Sequence, residues 1–293
     1  MLLSGIEAVP ASEPRCAVIA IHGSGYGGRY WDLPDPLSSL LRMGRDLGIR
    51  VIAVDRPGYG AAVGTPPANL GVDRQAKVLG ELTARIHAEA PLAPVFLMGH
   101  SFGALLVVRI AAGEAADCVA GIDVAGLPVQ WRPEVRATVE ARLRGEPSAF
   151  SSTQSRLALY FGPPGTFDPH VLDLERTLLQ RVPRVEIEES LDSTRMLQES
   201  APLVRMPVQF TVAQYEGSIA GGQLALSRGR ALFSGAPRVA AHLQANAGHN
   251  VSLHKVGRAY HLRAFAFFED VLASIEPARS DLPGAVGSVE AVP

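Results

Sequence analysis

Ser101 stands in the stretch Gly99-His100-Ser101-Phe102-Gly103, between an apolar run and a run with helical spacing. A serine set between two glycines where a strand passes into a helix is held in a tight turn that exposes its hydroxyl. The first N–H groups of the helix then point toward any anion formed there. Because a serine hydroxyl needs a neighbouring base to act as a nucleophile, the rest of the chain must supply one. The alternative interpretation is a serine that only caps a helix.

Two other stretches carry residues that such a serine would use. His22 opens the glycine-rich stretch HGSGYGG at residues 22–28, which follows an apolar run. Ligands bind at such strand ends in open α/β sheets. The stretch lacks a P-loop pattern, and no acidic residue follows where dinucleotide binding would need one. His249 lies in a Gly-His-Asn stretch near the end of the chain, after another apolar run.

The composition limits the classes of partner. The chain has 293 residues, 47% of them hydrophobic, and a formal net charge of -2. This balance argues against nucleic acid and anionic membranes, which select basic surfaces. With no leader pattern or long apolar run, we expect a cytoplasmic protein acting on a small-molecule substrate, and a homodimer is left open. The 2 cysteines give no metal spacing, so we expect neither a metal nor another cofactor.

Apolar runs of strand length alternate with runs of helical spacing along most of the chain. The amphipathic stretch at residues 72–90 predicts a helix. Strands are predicted at residues 16–21, 50–54, 95–98, 119–126, 207–213 and 239–245. The alternation predicts an α/β fold with a mostly parallel, doubly wound sheet.

One segment breaks this alternation. Residues 127–206 are richer in Arg, Glu and Pro and contain helical runs without a strand series, which predicts an inserted helical lid. The core is then formed by residues 1–126 and 207–276. Residues 277–293 have few large apolar side chains to bury and are predicted to be disordered.

Four stretches together resemble the α/β-hydrolase fold superfamily, over about residues 15–276. They are His22-Gly23, the sequence DRPGYG at residues 55–60, the stretch around Ser101, and Gly248-His249-Asn250. They occur in the order that the superfamily shows. The resemblance implies a lid-bearing serine esterase or thioesterase, although the fold hosts many reactions.

The resemblance also implies roles for particular residues. Ser101 would be the nucleophile. His249, in the last of the four stretches, would be its general base. The backbone N–H groups of Ser24 and Phe102 would form an oxyanion hole.

The acid that orients the histidine has two candidates. The family commonly places it in the loop after the strand that follows the lid, and the matching position counted from Pro207 holds Glu216. Some family members take the acid from the strand after the helix that follows Ser101, where Asp123 lies, although Asp123 precedes the end of that strand. Either carboxylate can hold the imidazole tautomer.

Aromatic and basic residues near these motifs have two interpretations each. Tyr26, Trp31, His100 and Trp131 can line a substrate pocket, or the aromatic ones can pack beneath the lid. Basic side chains at helical spacing in the lid can meet an anionic substrate or form a solvated face: Arg132, Arg136, Arg142 and Arg144.

The sequence predicts a serine hydrolase that cleaves a carboxylic ester or thioester of a small organic substrate through an acyl-enzyme. A serine in place of an aspartate nucleophile disfavours epoxide hydrolysis and dehalogenation. One alternative is a non-hydrolytic biosynthetic enzyme (a lyase, acyl transferase or cyclase) using the same pocket. Another is a hydrolase-like protein that binds a ligand without turning it over.

Overall fold

A computed structural model describes residues 2–34, 39–146 and 153–275. Its centre is a seven-stranded sheet in the order β1-β3-β2-β4-β5-β6-β7. The strands are β1 Gly5–Ala8, β2 Ala17–Ile21, β3 Arg50–Val54, β4 Val95–His100, β5 Gly121–Ala125, β6 Val208–Tyr215 and β7 Val239–Gly248. All neighbouring strands pair in parallel except β1, which runs antiparallel to β3. The predicted mostly parallel sheet is therefore confirmed.

The central strands of the sheet are buried on both faces, which explains their continuous apolar runs. Every residue of β2, β4 and β5 is buried. Alternate strand residues belong to two separate apolar clusters: Ile19 and Leu97 face one, whereas Val18 and Phe96 face the other.

Five helices cover the two faces. They are α1 Leu40–Asp46, α2 Val72–Glu89, α3 Phe102–Ala111, α9 Gly222–Leu232 and α10 Gly257–Ile275. Helices α2, α3 and α9 contribute to the first cluster, and α1 and α10 to the second. The predicted stripe of α2 is buried at Val72, Ala76, Leu79 and Ile86. The sheet is thus doubly wound, as predicted.

The described part of the segment between β5 and β6 is helical. Its helices are α4 Pro133–Leu143, α5 Thr153–Tyr160, α6 His170–Leu178, α7 Arg184–Ser190 and α8 Ser193–Ser200. We call residues 127–206 the insertion. Its assignment as a lid stays a prediction, and the predicted disorder of residues 277–293 falls outside the described residues.

The register aligns the carboxyl ends of the parallel strands at one edge of the sheet. Ile21 pairs with Gly99, His100 with Ala125, and Tyr215 with Gly248. The loops that carry His22, Ser101, Glu216 and His249 therefore meet at that edge.

Among the described residues, no helix has the length and apolarity needed to cross a membrane.

Candidate active site

Ser101 occupies the turn between β4 and α3 with an unusual backbone conformation. Its φ is 56° and its ψ is -121°, a region that side-chain-bearing residues rarely adopt and that costs about 1–3 kcal/mol. The flanking glycines make the turn possible. A Cβ at Gly99 would lie 2.7 Å from the Cα of Ala104, and one at Gly103 would overlap the carbonyl oxygen of Ile21. The half-buried serine hydroxyl is thus held at the edge of the sheet by close backbone packing.

Ser101, His249 and Glu216 form a continuous hydrogen-bonded chain. The Oγ of Ser101 lies 2.9 Å from Nε2 of His249, and Nδ1 of the same ring lies 2.8 Å from Oε1 of Glu216. With the ring proton on Nδ1, that nitrogen donates to the carboxylate and Nε2 is free to accept from the serine hydroxyl. His249 and Glu216 are almost fully buried. In this arrangement the imidazole can accept the serine proton, and the carboxylate can orient the imidazole.

Asp123, the alternative acid, is not part of this chain of hydrogen bonds. It lies inside β5 and is fully buried, where its Oδ1 accepts from Nε2 of Gln209 at 2.7 Å and its Oδ2 from the hydroxyl of Tyr260 at 3.0 Å. Burial raises the pKa of Asp123 to about 6, although both hydrogen bonds oppose the shift. Because Asp123 precedes the end of its strand, its side chain packs within the core and not at the edge where His249 lies.

Ser218 joins the site, and the sequence analysis missed it. Its hydroxyl lies 3.1 Å from Oε1 of Glu216 and 3.4 Å from Nδ1 of His249, and its amide lies 3.4 Å from the same carboxylate oxygen. A hydroxyl residue two positions after a carboxylate, in a loop, is a local signal that could have identified it. Ser218 helps to hold the carboxylate toward the histidine.

Gly126 makes room for the histidine ring. Its φ is 67°, and a Cβ there would lie 2.9 Å from Cε1 of His249. The residue directly follows β5, so this strand contributes a close backbone approach to the site instead of the acid.

The loop after β2 lies against the turn of Ser101. A Cβ at Gly23 would come within 3.0 Å of Cβ of Ser101, so the glycine allows the close approach. The predicted oxyanion donors are the amides of Ser24 in this loop and of Phe102 at the start of α3. Within the described chain, neither amide donates a hydrogen bond to another protein group. Both N–H groups thus remain available for a ligand.

Two of the residues that can line a pocket, His100 and Trp31, are buried in the structure. His100 is buried, its Nε2 donates to the backbone oxygen of His249 at 2.7 Å, and its ring stacks on Tyr30 at 5.0 Å. Burial, followed by the nearby His249, lowers the pKa of His100 to about 3, so the ring is neutral. Trp31 is fully buried against Tyr30 and His261. His100 supports the histidine loop and Trp31 belongs to the core.

The other two candidate pocket residues, Tyr26 and Trp131, contact helices of the insertion. The hydroxyl of Tyr26 donates to Glu175 of α6 at 2.6 Å and accepts from Nδ2 of Asn250 at 2.8 Å. Nε1 of Trp131 donates to the backbone oxygen of Ser190 and to the hydroxyl of Ser193. Tyr26 therefore holds α6, and Trp131 holds α7 and α8.

Of the four arginines of the insertion that could meet an anionic substrate, three pair with carboxylates of their own segment. Arg132 pairs with Glu134, Arg136 with Glu140, and Arg144 with Glu146, and all these side chains are substantially exposed. For them the solvated-face interpretation fits better than an anion site.

The described residues provide no metal-binding cluster. Over residues 2–34, 39–146 and 153–275, no three His, Cys, Asp or Glu side chains are grouped so that they could hold a metal ion. The reactive groups that the site offers are a serine hydroxyl, an imidazole, a carboxylate and free backbone amides.

The comparisons with known proteins agree with this fold. A family model described as "Alpha/beta hydrolase family" matches residues 18–270, and the chain belongs to that family.

The sequence identity between this chain and individual relatives is low. The chain is similar to protein phosphatase methylesterase 1 of Pongo abelii, with 22% identity over 140 residues that cover 48% of this chain and 35% of the relative. It is also similar to the monoglyceride lipase homolog of Monkeypox virus, with 31% identity over 103 residues that cover 35% of each chain. The chain thus spans only about a third of the length of these curated relatives. A thermophilic esterase from Thermogutta terrifontis has a similar solved structure, with a TM-score of 0.67, 18% identity, and coverage of 92% of this chain and 93% of the esterase.

Proposed function

We propose that this protein is a serine hydrolase that cleaves a carboxylic ester or thioester of a small organic substrate through an acyl-enzyme. The observation that carries the proposal is the hydrogen-bonded chain from Ser101 through His249 to Glu216, with distances of 2.9 and 2.8 Å. These distances are those expected of a nucleophile, its base and the group that orients the base.

Acylation begins with proton transfer from Ser101 to His249. The Oγ of Ser101 attacks the substrate carbonyl carbon while Nε2 of His249 takes the hydroxyl proton. The carboxylate of Glu216 keeps the ring proton on Nδ1 and stabilises the imidazolium that forms. The carbonyl oxygen becomes an oxyanion in the resulting tetrahedral intermediate.

The oxyanion needs hydrogen-bond donors that are already oriented. The amides of Ser24 and Phe102 are proposed for this role, because the loop of Ser24 lies against Ser101 and Phe102 opens α3. Each such donor lowers the barrier by about 3–4 kcal/mol. The dipole of α3 adds to the stabilisation of negative charge near its first turn.

Collapse of the intermediate releases the first product. The bond from the carbonyl carbon to the leaving oxygen or sulfur breaks, and His249 gives its proton to the leaving group. Water then attacks the acyl-enzyme with His249 as base, and the serine departs with that proton. The products are an alcohol or thiol and a carboxylic acid, and only protein groups and water take part.

The relatives support an ester as the substrate class. The names of two curated relatives contain methylesterase and monoglyceride lipase, and the structural neighbour from Thermogutta terrifontis is an esterase. We further propose that the insertion acts as a lid, because Tyr26 bonds to Glu175 of α6 and Trp131 forms a β-bridge with Ile219, which follows β6 at the edge where Ser101 lies.

The test is turnover of p-nitrophenyl esters of increasing acyl length, and of matched thioesters, by the purified protein. We expect release of p-nitrophenol and incorporation of one oxygen from labelled water into the acid. Ser101→Ala should abolish turnover, whereas Ser227→Ala, at an exposed serine of α9, should leave it unchanged. Acyl transfer to an added alcohol with no labelled acid would contradict hydrolysis.

A further inference from the structure

The peptide between Gly23 and Ser24 determines where the proposed oxyanion donor points. Its carbonyl oxygen belongs to Gly23 and its N–H to Ser24. This peptide is trans, so the two groups point in opposite directions. Any group that fixes the Gly23 carbonyl therefore also fixes the direction of the Ser24 N–H.

Two donors hold this carbonyl. Nδ1 of His22 lies 2.8 Å from the oxygen of Gly23, and Nη2 of Arg56 donates to it at 3.2 Å. The amide of Arg56 donates to Nε2 of His22 at 3.1 Å, which places the ring proton on Nδ1. Burial, and then the charge of Arg56, lowers the pKa of His22 well below its usual value, so the ring stays neutral and keeps this tautomer.

The guanidinium of Arg56 uses all of its N–H groups. Nε donates to the backbone oxygen of His22 at 2.9 Å, beside the bond to Gly23. Nη1 donates to Gln75 at 2.7 Å, and both terminal nitrogens donate to the carboxylate of Glu186 at 2.9 and 3.0 Å. Two adjacent carbonyls of the loop are thus held by one planar fork, a geometry that a lysine ammonium cannot reproduce.

Glu186 comes from helix α7 of the insertion. Its side chain and that of Arg56 are both fully buried. The hydroxyl of Tyr59 donates to Glu186 at 2.8 Å and accepts from the amide of Gly25 at 3.1 Å. The insertion carboxylate is therefore linked to the loop on both sides of Ser24, through Arg56 before it and through Tyr59 after it.

Arg56 also approaches the second proposed oxyanion residue. The Cζ of Arg56 lies 5.0 Å from the ring centre of Phe102 and 4.7 Å from that of Tyr59. One buried cation thus contacts the side chain of one proposed donor residue and the peptide of the other.

We infer that Arg56 is a positioning residue that orients the Ser24 amide, and that Glu186 of the insertion locks it in place. The insertion then acts on the rate of the chemical step and not only on substrate access. This inference rests on the proposed serine hydrolase function, since it concerns the oxyanion of that reaction.

The experiment compares kcat and KM for p-nitrophenyl butyrate in the wild type, Arg56→Lys and Glu186→Gln. We expect kcat to fall about 10- to 100-fold with little change in KM, because the lost interaction strengthens only in the transition state. Binding of an alkyl trifluoromethyl ketone, whose adduct with the serine carries an oxyanion, should weaken by a similar factor.

A milder variant and a stability control keep the test decisive if Arg56→Lys does not fold. Tyr59→Phe removes only the hydroxyl that links Glu186 to Gly25 and should show the same kcat-specific loss at a smaller scale. Phe268→Leu alters the core at α10, where Phe268 packs with Phe96, and should lower the melting temperature without a selective loss of kcat.

The outcomes separate the two proposals. If the wild type turns over esters through Ser101 but the Arg56, Glu186 and Tyr59 variants keep wild-type kcat, the positioning role is overturned and the proposed function stands. Losses of kcat no larger than that of a Phe268→Leu protein of equal melting temperature overturn it as well. A wild type without turnover or Ser101 acylation overturns the proposed function, and the positioning role with it.

Discussion

Oε1 of Glu216 lies 2.8 Å from Nδ1 of His249, although the two residues are 33 positions apart in the chain. Glu216 follows β6 and His249 follows β7, and these neighbouring strands pair in parallel with Tyr215 opposite Gly248. The pairing of β6 with β7 thus places Glu216 directly beside His249.

Replacing Glu216 should therefore weaken catalysis, and replacing Asp123 should not. Glu216→Gln keeps the shape of the side chain but removes the charge that stabilises the imidazolium, and we expect kcat to fall about 10²- to 10⁴-fold. Asp123→Asn should retain kcat within about threefold, since its partners are Gln209 and Tyr260. Steady-state kinetics on p-nitrophenyl esters measures both. A selective collapse in Asp123→Asn would instead assign the acid to β5.

The hydroxyl of Ser218 should have a smaller effect on the same step. Ser218→Ala removes the donor at 3.1 Å from Glu216, so the carboxylate is held less firmly, and we expect kcat to fall about two- to tenfold, the worth of one net hydrogen bond. Ser227→Ala serves as the control, because that exposed hydroxyl donates to the backbone oxygen of Leu224 within α9. Equal kinetics in the two variants would show that the hydroxyl of Ser218 does not contribute to catalysis.

Gly126 should tolerate no side chain. Gly126→Ala places a methyl group 2.9 Å from the ring of His249 and forces alanine to a φ near 67°, so both kcat and the melting temperature should fall. Gly145→Ala is the matched control: its φ is 78°, but no described atom lies within 4 Å of the added Cβ. It should show the stability loss alone. Unchanged kcat in Gly126→Ala would mean that the ring of His249 is not confined there.

Asp123 should give the stability of the protein a specific pH dependence. Its pKa is raised from 3.8 to about 6 in the folded state, so the folded state binds this proton more tightly than the unfolded chain does. The corresponding contribution to stability is complete below the unfolded pKa and is lost as the pH rises through about 6. Asp123→Asn lacks this loss. The unfolding free energy of the variant relative to that of the wild type should therefore increase between pH 4 and pH 7, by up to about 3 kcal/mol.

Urea unfolding at several pH values tests this difference. Asp117→Asn, at an exposed aspartate, should track the wild type throughout the range. A constant difference between Asp123→Asn and the wild type would show that the buried carboxyl does not titrate in this window.

The fold was predictable because its signals are local. Buried parallel strands give continuous apolar runs, and the turn at Ser101 requires glycines at fixed positions on either side. The order of the motifs then identified the family, and the edge of the sheet followed from the strand ends. The structure brings Ser101, His249 and Glu216 together at that edge.

Other features depend on contacts that no local pattern encodes. Arg56 and Glu186 are 130 positions apart, and their pairing arises only when α7 packs against the loop after β3. Each residue taken alone looks like an ordinary charged residue of a loop or helix. The sequence leaves a pocket role open for Trp31 and His100, because it gives their neighbours but not their burial. The structure places one in the core and the other behind the His249 loop.

The most direct test of the serine mechanism is covalent labelling with a fluorophosphonate, followed by intact-mass and peptide-mass measurement. The phosphorus is attacked by an activated serine hydroxyl, so the wild type should gain one probe mass located on Ser101. His249→Ala should slow labelling strongly, and Ser101→Ala should abolish it. Absence of labelling in the folded wild type, or labelling that persists in Ser101→Ala, would contradict the proposed acyl-enzyme mechanism.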